Sequence, residues 1–470
     1  MKRINDLERG VAKLIKEQSN MILGQDMVYS LDTYSTKRNN NVLVVGASGA
    51  GKTRGIVSPN LMQATGSYIV SDPKGSLYDK YKKYLEERGY IVKKLDFTDP
   101  LNSVHYNFLS YISEPQDIIK AAHMLAYEDI STQDPFWDHS ASMLLSSLIA
   151  YCIENLNEDE QNFRSIEKLL QVARRDPYSS SEMSLLDRLM DRHEKLHPDS
   201  WAVRQYRNVA VAPERTYNSI LITLTSKMRN FGTEEITEMM KCDDVNIASI
   251  GKKKTALFVV VSDSDRSMDN LANLFFTQAM NELCRYADKK CKNYRLPVPV
   301  RFILDDFATN CRIDEFPRMI ASIRSRGIST MLMIQSESQL LDSYGQDGHT
   351  IIGNCDTYVY MGGNDVDTAK AVAERCDLPV KKILNMPVGK GVIFRRGEAP
   401  SWFSVLDLKK YEEQNHFVNR PYKEIRTKDE RSLRTRLLGK NQNEEKKGMW
   451  LQRETEYDEL VKTLAETMGG

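Results

Sequence analysis

Residues 46–53 read GASGAGKT and follow directly on an apolar run, VLVV (42–45). Gly46, Gly51, Lys52 and Thr53 fit the pattern G-x-x-x-x-G-K-[ST]. In a turn of this kind, backbone N–H groups converge on phosphate oxygens. The lysine reaches the terminal phosphates and the threonine hydroxyl binds Mg²⁺. Glycine is needed because a side chain would hold the backbone away from the ligand. A chance glycine-rich turn is the competing reading, and the preceding strand argues against it. Gly46, Ala47, Ser48, Gly49, Ala50, Gly51, Lys52, Thr53 and Arg54 are therefore the expected loop for a nucleoside triphosphate.

A triphosphate site that turns over needs a carboxylate for the metal. VRFILDD (300–306) offers Asp305 and Asp306 at the end of a second apolar strand. Asp305 is expected to hold Mg²⁺, usually through water. Asp306 stands where strand-type motor ATPases carry the carboxylate that orients attacking water. STMLMIQ (329–335) ends in Gln335, on the next strand, where such motors place a polar sensor of the γ-phosphate. Between them, MIASIRSRGIS carries Arg324 and Arg326 near the end of a helical pattern. One of these is a candidate for an arginine acting on a neighbouring subunit's phosphate. Simple decoration of a helix end is the alternative.

Two blocks of strands must position these groups. The first holds MVYSL (27–31), NVLVV (41–45), SYIVS (67–71) and YIVKKLD (90–96). The second holds TALFVVV (255–261), VRFILDD, STMLMIQ, DTYVYM (356–361) and GVIFRR (391–396). Continuous apolar runs alternating with helical segments predict an α/β fold, a mostly parallel sheet covered on both faces. Residues 112–245 carry long helical patterns and no convincing strand, so an all-helical domain inserted into the sheet domain is expected. That gives a nucleotide-binding domain in two parts, 1–111 with an N-terminal amphipathic helix and a hairpin, and 246–421. A charged tail, 422–470, follows.

The ordered set VGASGAGKTRGIVSPNLM, YIVSDPKGSLY, YNFL, DPFWDHSA, VRFILDDFAT, IASIRSRGIS, IQSESQL and GNCDTYVYMGG resembles the type IV secretion coupling proteins, the TraG/TraD-like ATPases of conjugation. The resemblance spans roughly residues 25–405. It implies a RecA-type P-loop ATPase domain with an all-helical insert and a hexameric ring binding ATP and Mg²⁺ between subunits. It also implies transport of single-stranded DNA with its relaxase toward channel ATPases and membrane components. By the same resemblance Lys52 and Thr53 meet phosphate and metal, Asp305 the metal, Arg324 the neighbour's nucleotide, and Gln335 is the sensor. Asp72 and Lys74 fall in its second-strand motif without an assigned role.

Two departures stand out. The family usually has Glu where this chain has Asp306, which shortens the reach to water by one methylene and predicts slow basal hydrolysis. The family also usually begins with membrane helices. Here the phosphate loop comes within 50 residues of Met1, so the sequence is a piece of a longer protein or a soluble member that borrows an anchor from a partner. A monomer or weak oligomer is expected in that form. Two other readings remain beside the coupling protein. One is a cytosolic HerA–FtsK-like DNA translocase; the other is a cargo-docking receptor switched by nucleotide.

Composition sets bounds on these readings. The chain has 470 residues, 65 basic and 65 acidic, so overall charge gives no support to nucleic-acid binding and any such surface is a local patch. Seven cysteines with no CxxC pair predict reduced thiols in a cytoplasmic protein, and the resemblance implies its recruitment to the inner face of the membrane. HEKLH (193–197) matches a zinc-protease pattern, but Pro198 stops the helix and no third ligand is evident. Lys252–Lys254 and the basic stretch at 428–436 read as solvated ends. Phe136 and Trp137 are expected as core anchors of the helical domain.

Overall fold

The structure is a computed structural model that describes residues 19–126, 135–174, 183–307 and 312–415. The chain divides into two units, Met1–Arg420 and Pro421–Gly470. The second unit lies outside the described residues, as do the expected N-terminal helix and the basic stretch at 428–436.

The main sheet contains β3 (Val42–Val45), β4 (Ser67–Ser71), β5 (Ile91–Asp96), β6 (Thr255–Val260), β7 (Val300–Leu304) and β8 (Ile328–Ile334). It is completed by β9 (Thr357–Tyr360), β10 (Lys390–Arg395) and β11 (Ser401–Ser404). Spatial order is β5-β6-β4-β7-β8-β3-β9-β10-β11. Strands β5 through β9 in this order pair parallel, whereas β10 and β11 add an antiparallel edge. The parallel strands are apolar along their length because helices cover both faces: every residue of β3, β4, β6, β7 and β9 is buried.

Two strands lie outside the runs named from the sequence. MVYSL supplies β2 (Met27–Ser30), which pairs with one of them, β1 (Asn20–Gly24), in a hairpin separate from the main sheet. Residues of β2 alternate between half-buried and exposed, as befits a strand covered on one face only. Strand β11, too short to stand out in sequence, caps the sheet edge beside β10.

Between β5 and β6 the described residues form helices and 3₁₀ turns and no strand. Helix Pro135–Asn155 lies at the centre of this region. Small and apolar residues occur on all its faces, and most of it is buried. Its first turn is the exception. Phe136 is 48% exposed and Trp137 half-buried, the two rings edge to face at 5.1 Å. They are not core anchors, because the helix enters the core only from Asp138 onward.

His193 of HEKLH is buried, its Nε2 3.1 Å from Glu154 Oε2, while Glu194 pairs with Arg207. The six cysteines among the described residues are free thiols. Among the described residues no helix is long and apolar enough to cross a membrane.

Candidate functional site

In parallel strands all carboxyl ends share one edge of the sheet, and crevices at that edge are where α/β folds hold ligands. Strand β3 delivers Gly46 there, β7 delivers Asp305 and β8 delivers Gln335. The strand order explains the spacing in sequence. Strand β8 lies between β3 and β7 and pairs with both, Val45 opposite Ile334 and Leu304 opposite Leu332. The loop and the carboxylate thus face each other across one intervening strand, although about 250 residues separate them in the chain.

The loop backbone is built for close approach. Gly49 and Gly51 adopt φ of +78° and +93°, in the region that side chains disfavour. A Cβ at Gly49 would meet nothing within 4 Å, so the turn is open on its outer side. Gly46 is held the other way: a Cβ there would lie 3.0 Å from the Met361 Cβ. Gly46 N–H donates to Ile334 O and Ala47 N–H to Gly362 O, which fixes the base of the loop to β8 and to the end of β9. Among the described residues the N–H groups of Ser48, Gly49 and Gly51 have no acceptor. Such a set of unused donors is what an anion binds.

Lys52 and Thr53 begin the helical turn that follows. The Lys52 ammonium donates to Gly46 O at 2.5 Å and Ala47 O at 3.3 Å, folded onto the loop. The Thr53 hydroxyl donates to Asp305 Oδ2 at 2.7 Å. Burial lowers the Lys52 pKa from the ordinary lysine value, while Asp305 and then Asp306 act to raise it. Burial also raises the Asp305 carboxyl above its ordinary value; the Thr53 hydroxyl bond opposes this, Asp306 adds to it, and Lys52 opposes it. Both side chains are therefore partly desolvated, and each favours the charged form of the other. A hydroxyl and a carboxylate in contact form a hard-oxygen donor set that suits Mg²⁺. Asp306 follows with φ +51°, left-handed, a conformation that Asp and Asn tolerate better than other residues with a Cβ. Gln335 is exposed at the tip of β8, its N–H bonded to Gln339 Oε1 at 3.1 Å.

The segment after Thr53 carries a proline at position 59, which has no N–H to donate. Residues Thr53–Val57 accordingly form a π-turn, with Ser58 N–H donating to Thr53 O, before the α-helix Ser58–Gln63. The Asn60 side chain ties this helix to β1, accepting from Ile22 N–H and donating to Ile22 O.

Asp72 proves to be a helix cap. It ends β4 and accepts from Leu77 N–H and Tyr78 N–H at 2.8 and 2.9 Å, at the start of helix Ser76–Glu86. Burial outweighs these bonds and pushes its carboxyl up to about 6.

The two arginine candidates separate in the structure. Within MIASIRSRGIS, Met319 ends a short helix (Phe316–Met319) and residues 320–327 are successive turns rather than a helix, closed by Gly327 at φ +79°. Arg326 makes a bidentate pair with Asp288 at 2.9 and 2.8 Å. Arg324 donates to Thr33 O at 2.8 Å. It precedes β8, so it sits at the amino edge of the sheet, opposite Lys52. Sequence reasoning missed Arg301, a single charge inside the apolar β7, buried at 7% exposure. The only signal in sequence is that one charge between valine and phenylalanine.

The family profile described as Type IV secretory system Conjugative DNA transfer matches residues 5–377. The type IV secretion system-coupling protein VirD4 of Bartonella henselae is 21% identical over 388 residues, covering 79% of this chain and 57% of its own length. Protein VirD4 of Rhizobium radiobacter is 25% identical over 346 residues, covering 71% and 48%. The chain thus spans about half the length of the curated relatives it matches. Among solved structures, plasmid coupling protein TrwB in complex with a non-hydrolysable ATP analogue gives a TM-score of 0.58 at 14% identity, covering 84% of this chain and 92% of that one. VirB4 of Thermoanaerobacter pseudethanolicus gives 0.51 at 12% identity, covering 83% and 96%. These likenesses establish the α/β architecture with its additional helical regions.

Proposed function

The chain belongs to the family of type IV secretory conjugative DNA-transfer proteins, and we propose that it is an ATP-hydrolysing coupling protein that delivers single-stranded DNA with its relaxase to a secretion channel. The observation that carries the reading is the Thr53–Asp305 contact of 2.7 Å, which joins the phosphate loop to the end of β7. That the matched TrwB structures hold an ATP analogue, or ADP and Mg²⁺, supports the choice of nucleotide.

In this reading the open N–H groups of the loop bind the phosphates, and Lys52 leaves its loop carbonyls for the terminal ones. Thr53 and Asp305 would hold Mg²⁺, which when bound screens the charge on the phosphates. Asp306 orients the attacking water and accepts its proton. Gln335 contacts the γ-phosphate from the tip of β8. Arg324 lies at the far edge of the sheet, so it serves the nucleotide of the next subunit in a ring. Grip on DNA is largely electrostatic and sequence-tolerant. The protein works on the cytoplasmic side of the membrane, alongside channel ATPases and membrane components of the channel.

The test is ATP hydrolysis with and without single-stranded DNA, in the wild type and in Lys52→Ala. Turnover that rises with DNA and disappears in Lys52→Ala supports the pump. Nucleotide binding without DNA-stimulated turnover under any assembly condition would make the chain a nucleotide-switched docking receptor instead.

A further inference from the structure

At the amino edge of the same sheet lies a cavity of about 470 Å³. Its floor is the start of β4, β7 and β8, and its rim is the segment after β2. Strand pairing explains its content. Tyr68, Arg301 and Ser329 lie in register side by side, so the Arg301 side chain emerges between a tyrosine ring and a serine. Arg301 Nε donates to Ser329 Oγ at 3.3 Å. Arg295 and Arg324 also line the cavity.

Three arginines line this space, Arg324 donating to Thr33 O at 2.8 Å, and their combined positive charge favours an anion there. Among the described lining residues Asp32 is the only carboxylate, and it caps helix Thr33–Thr36 through Tyr34 N–H and Ser35 N–H. Among the described residues no carboxylate pairs with Arg301. Burial depresses its pKa, and Tyr68 opposes this. A buried cation without a partner is costly, and an anion in the cavity would relieve the cost. Arginine forks match phosphate oxygens in particular.

We propose that this cavity is a second anion site, separate from the nucleotide loop, which binds a small phosphate-bearing molecule between Arg301 and Arg295. Its position at the opposite edge of the sheet from Gly46–Thr53 separates it from the nucleotide loop of its own subunit. The shared chemistry is a compact phosphate dianion, free or carried as an ester.

The experiment uses the full chain with Lys52→Ala, which weakens the nucleotide loop, in phosphate-free buffer without Mg²⁺. Pyrophosphate, inorganic phosphate and AMP are titrated separately by calorimetry, and thermal unfolding is followed in parallel. We expect saturable pyrophosphate binding, weakened on the order of tenfold or more when Arg301→Met is added. Arg301→Met should also unfold at a higher temperature than its parent without anion, because an unpaired buried charge is gone, and at a lower one when pyrophosphate saturates. If Arg301→Met does not fold, Arg295→Ala in the Lys52→Ala background must show the weakened binding. Preference for AMP identifies an ester as the occupant; equal or better binding of phosphate and pyrophosphate identifies the free anion. No binding in Lys52→Ala, or equal affinity with and without the cavity arginines, overturns the proposal.

Discussion

Asp306 occupies a left-handed backbone position, and that fixes how its role is to be tested. Asn tolerates the same conformation, so Asp306→Asn removes the charge and leaves the turn. We expect turnover to fall on the order of 10²-fold or more, with nucleotide affinity little changed, as read by single-turnover hydrolysis beside equilibrium binding. Undiminished DNA-stimulated turnover would remove Asp306 from the mechanism. Asp72 offers a pH readout. Its folded pKa, about 6, lies above the ordinary value of 3.8. The folded state therefore holds the proton more tightly. Stability through this group is full below about pH 4 and declines as pH rises toward 6, by at most about 3 kcal/mol. Asp72→Asn should lack that slope, so the wild type minus variant difference in urea denaturation will change between pH 4 and pH 6 and be flat above pH 7. Lys52, Thr53 and Asp305 were legible because phosphate chemistry imposes both the residue kinds and the flanking strands. Asp72 was visible only as a motif member, since a cap depends on a helix start four residues away. Arg301 was not legible, since one charge in an apolar run gives no sign of which side chains flank it.

The helix after the phosphate loop is held by contacts that its own sequence does not announce. A Cβ at Gly55 would lie 2.5 Å from Val405 Cγ1, so this glycine lets the turn pack against the chain leaving β11. Gly55→Ala should destabilise by about 1–3 kcal/mol, and Val405→Ala in the same chain should recover much of the loss. Chemical denaturation of the two single variants and the double variant measures the coupling; additive losses would show that the two residues do not clash. The parallel strands were readable from their unbroken apolar runs. The strand order was not, because hydrophobicity says nothing of which strand lies beside which. The Arg324 segment misled for a related reason. Its apolar spacing fits a helix, but the backbone must turn at Gly327 to enter β8, and a series of turns does this in fewer residues.

Lys52 and Arg324 lie at opposite edges of one sheet, so a single subunit cannot bring them together while the sheet is intact. Arg324→Ala should leave nucleotide binding by isolated subunits unchanged and lower assembled turnover on the order of 10²-fold or more. Mixing Arg324→Ala with Lys52→Ala subunits should restore part of the activity, because each supplies what the other lacks. Failure of the mixture under conditions where wild-type subunits assemble would rule out the intersubunit arginine. The helical character of the described residues between β5 and β6 was readable in sequence, but their packing was not: Phe136 looked like an anchor and faces outward. Strand β8 itself has a mechanical consequence. It is hydrogen-bonded along both sides, to β3 and β7, and it runs from Ile328, four residues after Arg324, to Ile334, next to Gln335. A strand clamped on both flanks does not bend; it moves as a spindle about 20 Å long. If subunits assemble into the proposed ring, a tug at the end near one nucleotide displaces the arginine proposed to serve the next, and no separate linkage is needed to pass the stroke along.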